Sequence, residues 1–381
     1  MNASGDAARA VRAYTAMRRH LTRRDGLYRR DGLPRLLLAR AHLWPTARAL
    51  AGAVDLLGVP ADRLMGFDAE GAVNVHLRAL EAYWDDTSAL PAYASDVIGS
   101  RFGGDRYYDD NAWVGLALVQ LERMRPGHGH AQRAEALYRF AEAGWDTRPD
   151  VVSPGGVFWV EQGRGVGLAN HDRNTVSNAP NAQLGLHLTE LAARSDVGRG
   201  DGDARARSHA RARHMYEWVN VTLDAGQDAR GTGLFYDKVR GDGTVDRTLW
   251  TYNQGSMIGA NVLLARAAGR DERARYLARA EAIADKALRR YAGAYQEQPP
   301  AFNAILFRNL LQLHAASADA GLRERIRGAV SVYGDMAWTV HRDRHDRFRF
   351  RRSGPTLLDQ SAMVQVYALL AWRPEDYGAL A

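Results

Sequence analysis

The chain has 381 residues, of which 46% are hydrophobic, a composition typical of a folded globular protein rather than a disordered one. It contains no cysteine, which excludes disulfide bonds, thiolate metal sites and a cysteine nucleophile. The net charge is +7, but the positive residues are almost all arginines that alternate with acids along helical segments, which indicates solvated helix faces and argues against a nucleic-acid partner.

The N-terminal residues 1–26 contain no uninterrupted apolar segment of the length that a signal peptide needs. No other apolar run approaches the roughly 20 residues of a membrane-spanning helix. These features predict a cytoplasmic protein with no membrane span, with export by a non-classical route as the alternative.

Helical periodicity and helix stop signals divide the chain into about twelve segments. The predicted helices span 5–24, 34–55, 71–89, 108–124, 130–146, 174–193, 203–224, 251–268, 271–291, 303–316, 321–341 and 356–371. The even-numbered helices are apolar on most sides, as buried helices are, whereas the odd-numbered ones carry one apolar stripe and a charged face. This alternation predicts an all-α fold, an (α/α)6 barrel with an inner and an outer ring. An open α-solenoid is the rival interpretation, but no repeat of fixed length recurs.

Two connecting segments are predicted to contain short β structure, a short strand or hairpin in the first and a hairpin in the second. Residues 154–167 hold Phe158 and Trp159 between glycines, and residues 231–250 contain an Asp242-Gly243 turn. Residues 195–205 are predicted to form a polar, glycine-rich loop. No segment has the composition of an interdomain linker, so residues 1–381 are predicted to form a single domain.

Two adjacent carboxylates, Asp109 and Asp110, stand at the start of the fourth helix in the stretch RYYDDNAWVGLALVQ. Acids in this position often cap a helix and complement its dipole. However, two carboxylates this close cannot both ionise without raising one pKa, and Tyr107, Tyr108 and Trp113 are of the type that lines ligand sites. An acid beside an ionised carboxylate is the pair that glycoside hydrolysis uses, so the stretch is a candidate catalytic centre.

The inner helices of such a barrel all begin at one end, so the polar and aromatic residues at their starts are predicted to converge. Amides and aromatic faces together recognise sugars, because hydroxyl groups need directional donors and acceptors while C–H faces stack on rings. Each amide alone is more often a helix cap, and each ring is as often part of the core. The candidate substrate-binding residues are Trp44, Tyr108, Trp159, Asn178, Tyr252, Asn253, Gln254, Phe302, Asn303 and Asp359, with Gln360 beside the last of them.

Metal and cofactor signals are weak. His341 and His345 have the i, i+4 spacing of a metal pair, but neighbouring arginines would repel a cation and no third ligand is evident. Gly163, Gly165 and Gly167 lack the strand-glycine-helix order of a phosphate-binding loop. The densest basic run, residues 341–352, has the charge to contact an anionic ligand, although a solvated loop is the simpler interpretation. No metal and no cofactor are expected.

Several motifs resemble glycoside hydrolase family 76, the endo-α-1,6-mannanases. They are YYDDNAW, GGVFW, NTVSNAPNAQL, GLFYD followed by TYNQGSMIGA, and FNAILFRNLL, in order between Gly103 and Leu311. The resemblance implies an (α/α)6 catalytic domain that hydrolyses α-1,6-mannan with retention of configuration and no cofactor. It implies Asp109 as the nucleophile and Asp110 as the acid/base. The implied partner is a mannose-rich polysaccharide or the glycan of a glycolipid, for example of the lipomannan type in an arginine-rich, actinobacterium-like cell.

Three alternatives stay open. A transglycosylase would share the first chemical step and differ in whether water or a sugar hydroxyl resolves the intermediate. Another (α/α)6 enzyme, such as a sugar epimerase or an unsaturated uronyl hydrolase, would need paired histidines or basic residues that the helix starts do not strongly show. A catalytically silent glycan-binding barrel is the third. The oligomeric state is not predicted.

Overall fold

A computed structural model of the protein describes residues 3–31, 39–100, 104–194, 202–227, 233–350 and 354–381. Twelve α-helices lie within these ranges: α1 (Ala3–Leu21), α2 (Leu43–Leu57), α3 (Ala69–Leu80), α4 (Tyr108–Met124), α5 (His130–Ala143), α6 (Thr175–Arg194), α7 (Gly202–Thr222), α8 (Thr251–Ala267), α9 (Arg270–Tyr291), α10 (Pro300–Ala316), α11 (Ala320–Met336) and α12 (Leu357–Ala371). Short strands lie in the connections: β1 (Trp84–Asp85), β2 (Ala92–Tyr93), β3 (Arg173–Asn174), β4 (Lys238–Val239) and β5 (Val245–Asp246). Every helix in these ranges is too short or too polar to span a bilayer.

The six even-numbered helices form a closed ring, in which each helix packs against the next and α12 packs against α2. These helices are buried over most of their surface, as in α8, where Thr251 to Ala265 are all buried. The odd-numbered helices lie outside: α1 packs on α12, α3 on α2, α5 on α4, α7 on α6, α9 on α8, and α11 on α10 and α12. The fold is therefore the predicted (α/α)6 barrel. We refer to the end at which the inner helices begin as the mouth.

The observed helix boundaries differ from prediction mainly at α2 and α3. α2 begins at Leu43 rather than at residue 34, because Arg40 forms an antiparallel bridge with Arg29 and its backbone is extended there. Residues 34–38 of that predicted helix lie outside the described residues. α3 ends at Leu80, since the residues that follow form a 3₁₀ turn and then β1, which pairs with β2.

The fourth residue of each inner helix holds the backbone of the segment that precedes the helix. Asn111 in α4 binds both the N–H and the carbonyl of Tyr93, at 2.8 and 3.0 Å. The same position is occupied in the other inner helices by Thr46, Asn178, Gln254, Asn303 and Gln360, each bonded to neighbouring backbone. A buried peptide group needs such a partner, so these side chains fix the loops at the mouth.

The predicted Asp242-Gly243 hairpin is present as β4 and β5, with Lys238 opposite Asp246. Gly243 adopts φ +85°, a left-handed conformation that favours glycine in a tight turn. β3 extends this sheet by pairing Arg173 with Val239. Residues 231–232 of the predicted hairpin segment and residues 195–201 of the predicted polar loop lie outside the described residues. The sheet sits at the mouth, directly before α6 and α8.

Candidate active site

The adjacent carboxylates lie in the first turn of α4, at the mouth of the barrel. Tyr107 precedes the helix with extended backbone, and Asp109 and Asp110 are the second and third helical residues. Oδ1 of Asp109 accepts a hydrogen bond from the backbone N–H of Asp110 at 3.0 Å, so part of the capping interpretation holds. Both carboxyl-bearing residues remain partly exposed, which leaves them accessible from the mouth.

A loop from the α5–α6 connection lies against this pair. The indole Nε1–H of Trp159 donates to Oδ2 of Asp109 at 3.3 Å, and the Trp159 ring lies 4.9 Å from that of Tyr107. The backbone N–H of Tyr108 donates to the Trp159 carbonyl at 3.1 Å, which attaches the loop to the start of α4. Trp159 therefore combines a polar contact to Asp109 with an aromatic surface beside it.

The electrostatic surroundings of the two carboxyl groups differ, and so do the causes of their pKa shifts. Burial raises the pKa of Asp109 to about 7, opposed by hydrogen bonds from the Asp110 backbone and Trp159 and reinforced by the charge of Asp237. Burial, together with the negative charge of Asp109, raises the pKa of Asp110 well above its usual range. At neutral pH the pair can therefore supply one ionised carboxylate and one protonated acid.

Asp237 is a site residue that we did not select from the sequence. It immediately precedes β4, is buried, and accepts hydrogen bonds through Oδ1 from Asn253 at 3.3 Å and from the Tyr252 hydroxyl at 3.4 Å. Burial also raises its pKa. The only sequence signal for Asp237 was its place at the end of GLFYD, ahead of the predicted hairpin.

Aromatic residues from α8 and α10 form a second surface at the mouth. The rings of Tyr252 and Phe302 stack in parallel with centroids 3.9 Å apart, and Trp250 meets Phe302 edge-on at 5.5 Å. Phe302 and Trp250 are partly exposed. The structure thus groups the predicted Tyr252 and Phe302 with a tryptophan that sequence analysis missed.

A third aromatic group lies between α2 and α4. The rings of Trp44 and Trp113 are 5.9 Å apart, and the buried guanidinium of Arg48 lies 5.6 Å from each of them. Trp44 is partly exposed, whereas Trp113 is buried. Trp44 therefore remains available as a stacking surface beside α4.

Several residues chosen as sugar ligands instead support the fold. Asn178, Gln254 and Asn303 are fully buried, and each uses both ends of its amide in hydrogen bonds within the protein. The prediction of direct sugar contacts does not fit these three, because they form the loop-holding positions of the inner ring. Asn253 points instead to Asp237.

Tyr108 and Asp359 are also buried. Tyr108 is 4% exposed and stacks on Phe140 at 4.5 Å, so it belongs to the core, while its neighbour Tyr107 lies over Trp159. Asp359 is 2% exposed in the first turn of α12 and contributes to raising the pKa of Asp31, which burial brings to about 6. Neither residue presents a free surface at the mouth.

Residues 341–350 of the basic run and the candidate metal ligands are separate from this site. Arg342, Arg347 and Arg349 each pair with Asp343 or Asp346, so three of the arginines in the basic run have an acidic partner within it, while residues 351–352 lie outside the described residues. In the parts of the chain that the structure describes, no group of three or more His, Asp and Glu residues is arranged to hold a metal ion.

The profile of glycosyl hydrolase family 76 matches residues 13–327. A family 76 mannosidase from Bacteroides thetaiotaomicron VPI-5482 superposes with a TM-score of 0.76 at 20% identity, covering 96% of this chain and 98% of that one. A family 76 α-mannanase, also from Bacteroides thetaiotaomicron, gives 0.75 at 16% identity, covering 97% and 96%.

A third solved structure is an inactive variant of an α-1,6-mannanase from Salegentibacter sp. HEL1_6, with two adjacent aspartates replaced by asparagine, in complex with α-1,6-mannotriose. It superposes with a TM-score of 0.71 at 19% identity and covers 96% of this chain and 99% of that one. No functionally curated protein matches significantly. At these identities the solved structures establish a shared fold, and the family profile, which spans most of the chain, shows that this protein belongs to glycosyl hydrolase family 76.

Proposed function

We propose that this protein is a retaining endo-α-1,6-mannanase, with Asp109 as the nucleophile and Asp110 as the acid/base. The observation that carries the proposal is the carboxyl pair at the mouth, where Asp109 receives two hydrogen bonds while burial and the charge of Asp109 raise the pKa of Asp110. The hydrogen bonds favour the ionised form of Asp109, and burial next to that charge favours the protonated form of Asp110. These are the states that a nucleophile and a general acid need.

The chemistry proceeds as a double displacement. A carboxylate oxygen of Asp109 attacks the anomeric carbon while Asp110 gives its proton to the 6-oxygen of the departing sugar, and the glycosidic C–O bond breaks. The result is a mannosyl ester on Asp109. Asp110, now ionised, takes a proton from a water molecule whose oxygen attacks the anomeric carbon, and the ester bond breaks to release a mannan fragment whose new reducing end has the original α configuration.

The charges around the pair favour a neutral sugar. Lys238 is bound to Asp172 at 2.7 Å, and Arg106 is bound to Glu161. Because these nearby cations are already paired, a carboxylate or phosphate on the substrate would gain little from them. This argues against a uronic acid at the reacting position and supports a hexose such as mannose.

The surrounding side chains suit a chain of sugars. Trp159 with Tyr107, Trp44, and the stacked Tyr252 and Phe302 offer aromatic surfaces on three sides of the mouth. Sugar C–H faces pack on such surfaces, and subsites on both sides of the cleaved bond are what endo action requires.

The structural similarity to a solved α-1,6-mannanase supports the proposal that the cleaved bond is an α-1,6 linkage. In that relative, replacement of two adjacent aspartates gives an inactive variant that was captured with α-1,6-mannotriose, and another inactive variant with α-1,6-mannotetraose. Asp109 and Asp110 are the adjacent aspartates at the mouth of this barrel. We propose a mannose-rich polysaccharide or a lipomannan-type glycan as the physiological substrate.

Product analysis tests the function. Linear α-1,6-mannan is incubated with the wild type and with Asp109→Asn, and the products are separated by size. We expect short manno-oligosaccharides from the wild type alone. Products longer than the starting mannan chains would instead identify a transglycosylase, and binding of mannan without cleavage would identify a silent glycan-binding barrel.

A further inference from the structure

Arg106 and Glu161 form an ion pair next to the proposed catalytic residues. Arg106 is 1% exposed; its Nε donates to Oε2 of Glu161 at 2.7 Å, and its Nη2 donates to Oε1. Nη1 donates to the Ser88 hydroxyl and to the Leu90 carbonyl, both at 2.9 Å. All three guanidinium nitrogens are therefore engaged within the protein, which excludes a direct role for Arg106 in binding substrate.

The ion pair joins two segments that also pair through their backbones. The N–H of Glu161 donates to the carbonyl of Arg106 at 2.9 Å, and the N–H of Tyr108 donates to the carbonyl of Trp159 at 3.1 Å. One segment leads into Asp109, and the other carries Trp159. The position of Glu161 therefore helps to determine where the Trp159 indole lies relative to Asp109.

The contact between these two residues is sensitive to small movements. The distance from Nε1 of Trp159 to Oδ2 of Asp109 is 3.3 Å, near the upper end of the range for an N–H···O hydrogen bond. A shift of a few tenths of an ångström in the loop would weaken it substantially. A two-point arginine–carboxylate pair fixes orientation as well as distance, so Arg106–Glu161 is suited to prevent such a shift.

We propose that Glu161 is a positioning residue for the reaction: through Arg106 it holds the Trp159 indole on Asp109 and keeps that carboxyl group ready as the nucleophile. The role in the reaction rests on the proposed function, whereas the contact can be measured without turnover. Buried ion pairs contribute little net stability compared with apolar packing, so geometry is the contribution expected from this one.

The charged and titratable groups that face Asp109 predict the direction of the effect. Asp110 lies beside it on α4, Asp237 precedes β4, and Tyr252 approaches from α8. Asp237 raises the pKa of Asp109, while the Asp110 N–H and the Trp159 indole lower it. The Lys238 ammonium lies 5.9 Å from the Trp159 ring centroid. Loss of the indole contact would therefore raise the pKa of Asp109.

The test compares Glu161→Gln with the wild type by following the ¹⁵N–¹H signal of the Trp159 indole against pH. Trp159→Phe identifies that signal by removing it. We expect the titration midpoint in Glu161→Gln to lie about half a pH unit higher, because the removal of one hydrogen bond to a carboxylate has an effect of this order. The acid limb of the kcat/KM profile on α-1,6-mannotetraose should move upward with it.

Glu190→Gln is the matched control. Glu190 forms a comparable part-buried pair with Arg123, and its side chain is 24% exposed against 21% for Glu161. This pair joins the last turn of α4 to α6 at the end of the barrel opposite the mouth, so the indole titration should keep its wild-type midpoint. The control separates the loss of any ion pair from the loss of this one.

Glu161→Gln also leaves the Arg106 charge unneutralised, which favours ionised Asp109 and opposes the expected rise, so Arg106→Lys, which keeps both charges, is measured beside it. An unchanged midpoint in both variants would overturn the proposal, even if they unfold at a lower temperature. Should Glu161→Gln not fold, Arg106→Lys retains the charge but loses the two-point geometry, and its midpoint must also rise. A wild-type protein that leaves mannotetraose intact would count against the proposed function, and the indole titration would still decide whether Glu161 controls the state of Asp109.

Discussion

The backbone N–H of Asp110 donates to Oδ1 of Asp109 at 3.0 Å, so the second residue of the carboxyl pair helps to hold the first. This bond and the one from Trp159 favour the ionised form of Asp109. The asymmetry follows from local sequence: the chain turns into α4 at Tyr107, which leaves the N–H of Asp110, in the first turn, without an intrahelical acceptor and able to bind a carboxylate. The two consecutive aspartates therefore differ in how strongly their surroundings favour the ionised form.

The two aspartates should respond differently to substitution. Asp109→Asn removes the proposed nucleophile and should abolish mannan hydrolysis. Asp110→Ala should lower kcat/KM on mannan by about 10²- to 10⁴-fold, the usual contribution of a general acid. On an aryl α-mannoside with a good leaving group the loss should be much smaller, because that group departs without protonation. Equal activity of both variants and the wild type would eliminate the paired-aspartate mechanism.

The dependence of kcat/KM on pH should be bell-shaped. The proposed mechanism requires Asp109 to be ionised, so kcat/KM should rise as pH increases through the pKa of Asp109, which burial raises to about 7. It requires Asp110 protonated, so activity should fall as Asp110 loses its proton. The two limbs describe the coupled pair rather than either residue alone. With an activated aryl mannoside, Asp110→Asn should lose the alkaline limb and keep the acid limb; the retention of both limbs would assign the acid to another group.

The contribution of Asp110 to the free energy of unfolding should fall as pH rises, whereas activity on the acid limb should rise. The folded-state pKa of Asp110 is raised above its unfolded value, so the folded protein binds the proton more tightly, and stability is lost as pH rises toward the folded pKa. Asp110→Asn has no ionisable group at this position, so it does not lose this stability as pH rises. We expect its Tm to match that of the wild type near pH 4 and to exceed it by roughly 2 °C near pH 8. A lower Tm for the variant at pH 8 would contradict the raised pKa.

Sequence periodicity predicted the ring architecture because each inner helix is apolar around its circumference and each outer helix along one stripe. α4 begins and ends where expected, at Tyr108 and Met124. The start of α2 was misplaced because residues 34–41 have helical composition, while the pairing of Arg40 with Arg29 is a tertiary feature that no local pattern reveals. Helical propensity is readily overridden by such contacts.

The site was harder to predict than the fold because a polar residue at a helix start can bind either loop backbone or another side chain of the site. Gln254 and Asn253 are consecutive amides, yet one binds loop backbone and the other binds Asp237. The difference depends on which side of α8 each residue faces relative to the sheet. Asp237 was missed for the same reason, since its importance comes from where the hairpin places it. The aspartate pair was found because adjacency in sequence already implies proximity in space.

The adjacent tyrosines before and within α4 should separate binding from stability. Tyr107 lies against Trp159 and is partly exposed, so Tyr107→Ala should raise KM for mannotetraose with little change in unfolding. Tyr108 stacks on Phe140 in the core, and Tyr108→Ala should cost about 3 kcal/mol or more in the free energy of unfolding. Urea unfolding and initial rates on the same preparations check both expectations. A large stability loss in Tyr107→Ala would show that it is also a core residue.

The neighbouring amides of α8 provide the sharpest comparison between a supporting and a functional role. Gln254→Ala leaves the buried N–H and carbonyl of Phe235 without their partner, which should cost about 2 to 5 kcal/mol in the free energy of unfolding. Asn253→Ala removes one hydrogen bond to Asp237, beside Asp109, and should lower kcat/KM about tenfold, or roughly 1.4 kcal/mol, with a smaller stability loss. Urea unfolding and mannotetraose kinetics on both variants distinguish the two. The contrary outcome is that Asn253→Ala loses as much stability as Gln254→Ala while kcat/KM stays unchanged. That result would place Asp237 and Asn253 in the scaffold of the barrel. Substrate contacts would then have to come from the aromatic surfaces and the aspartate pair alone.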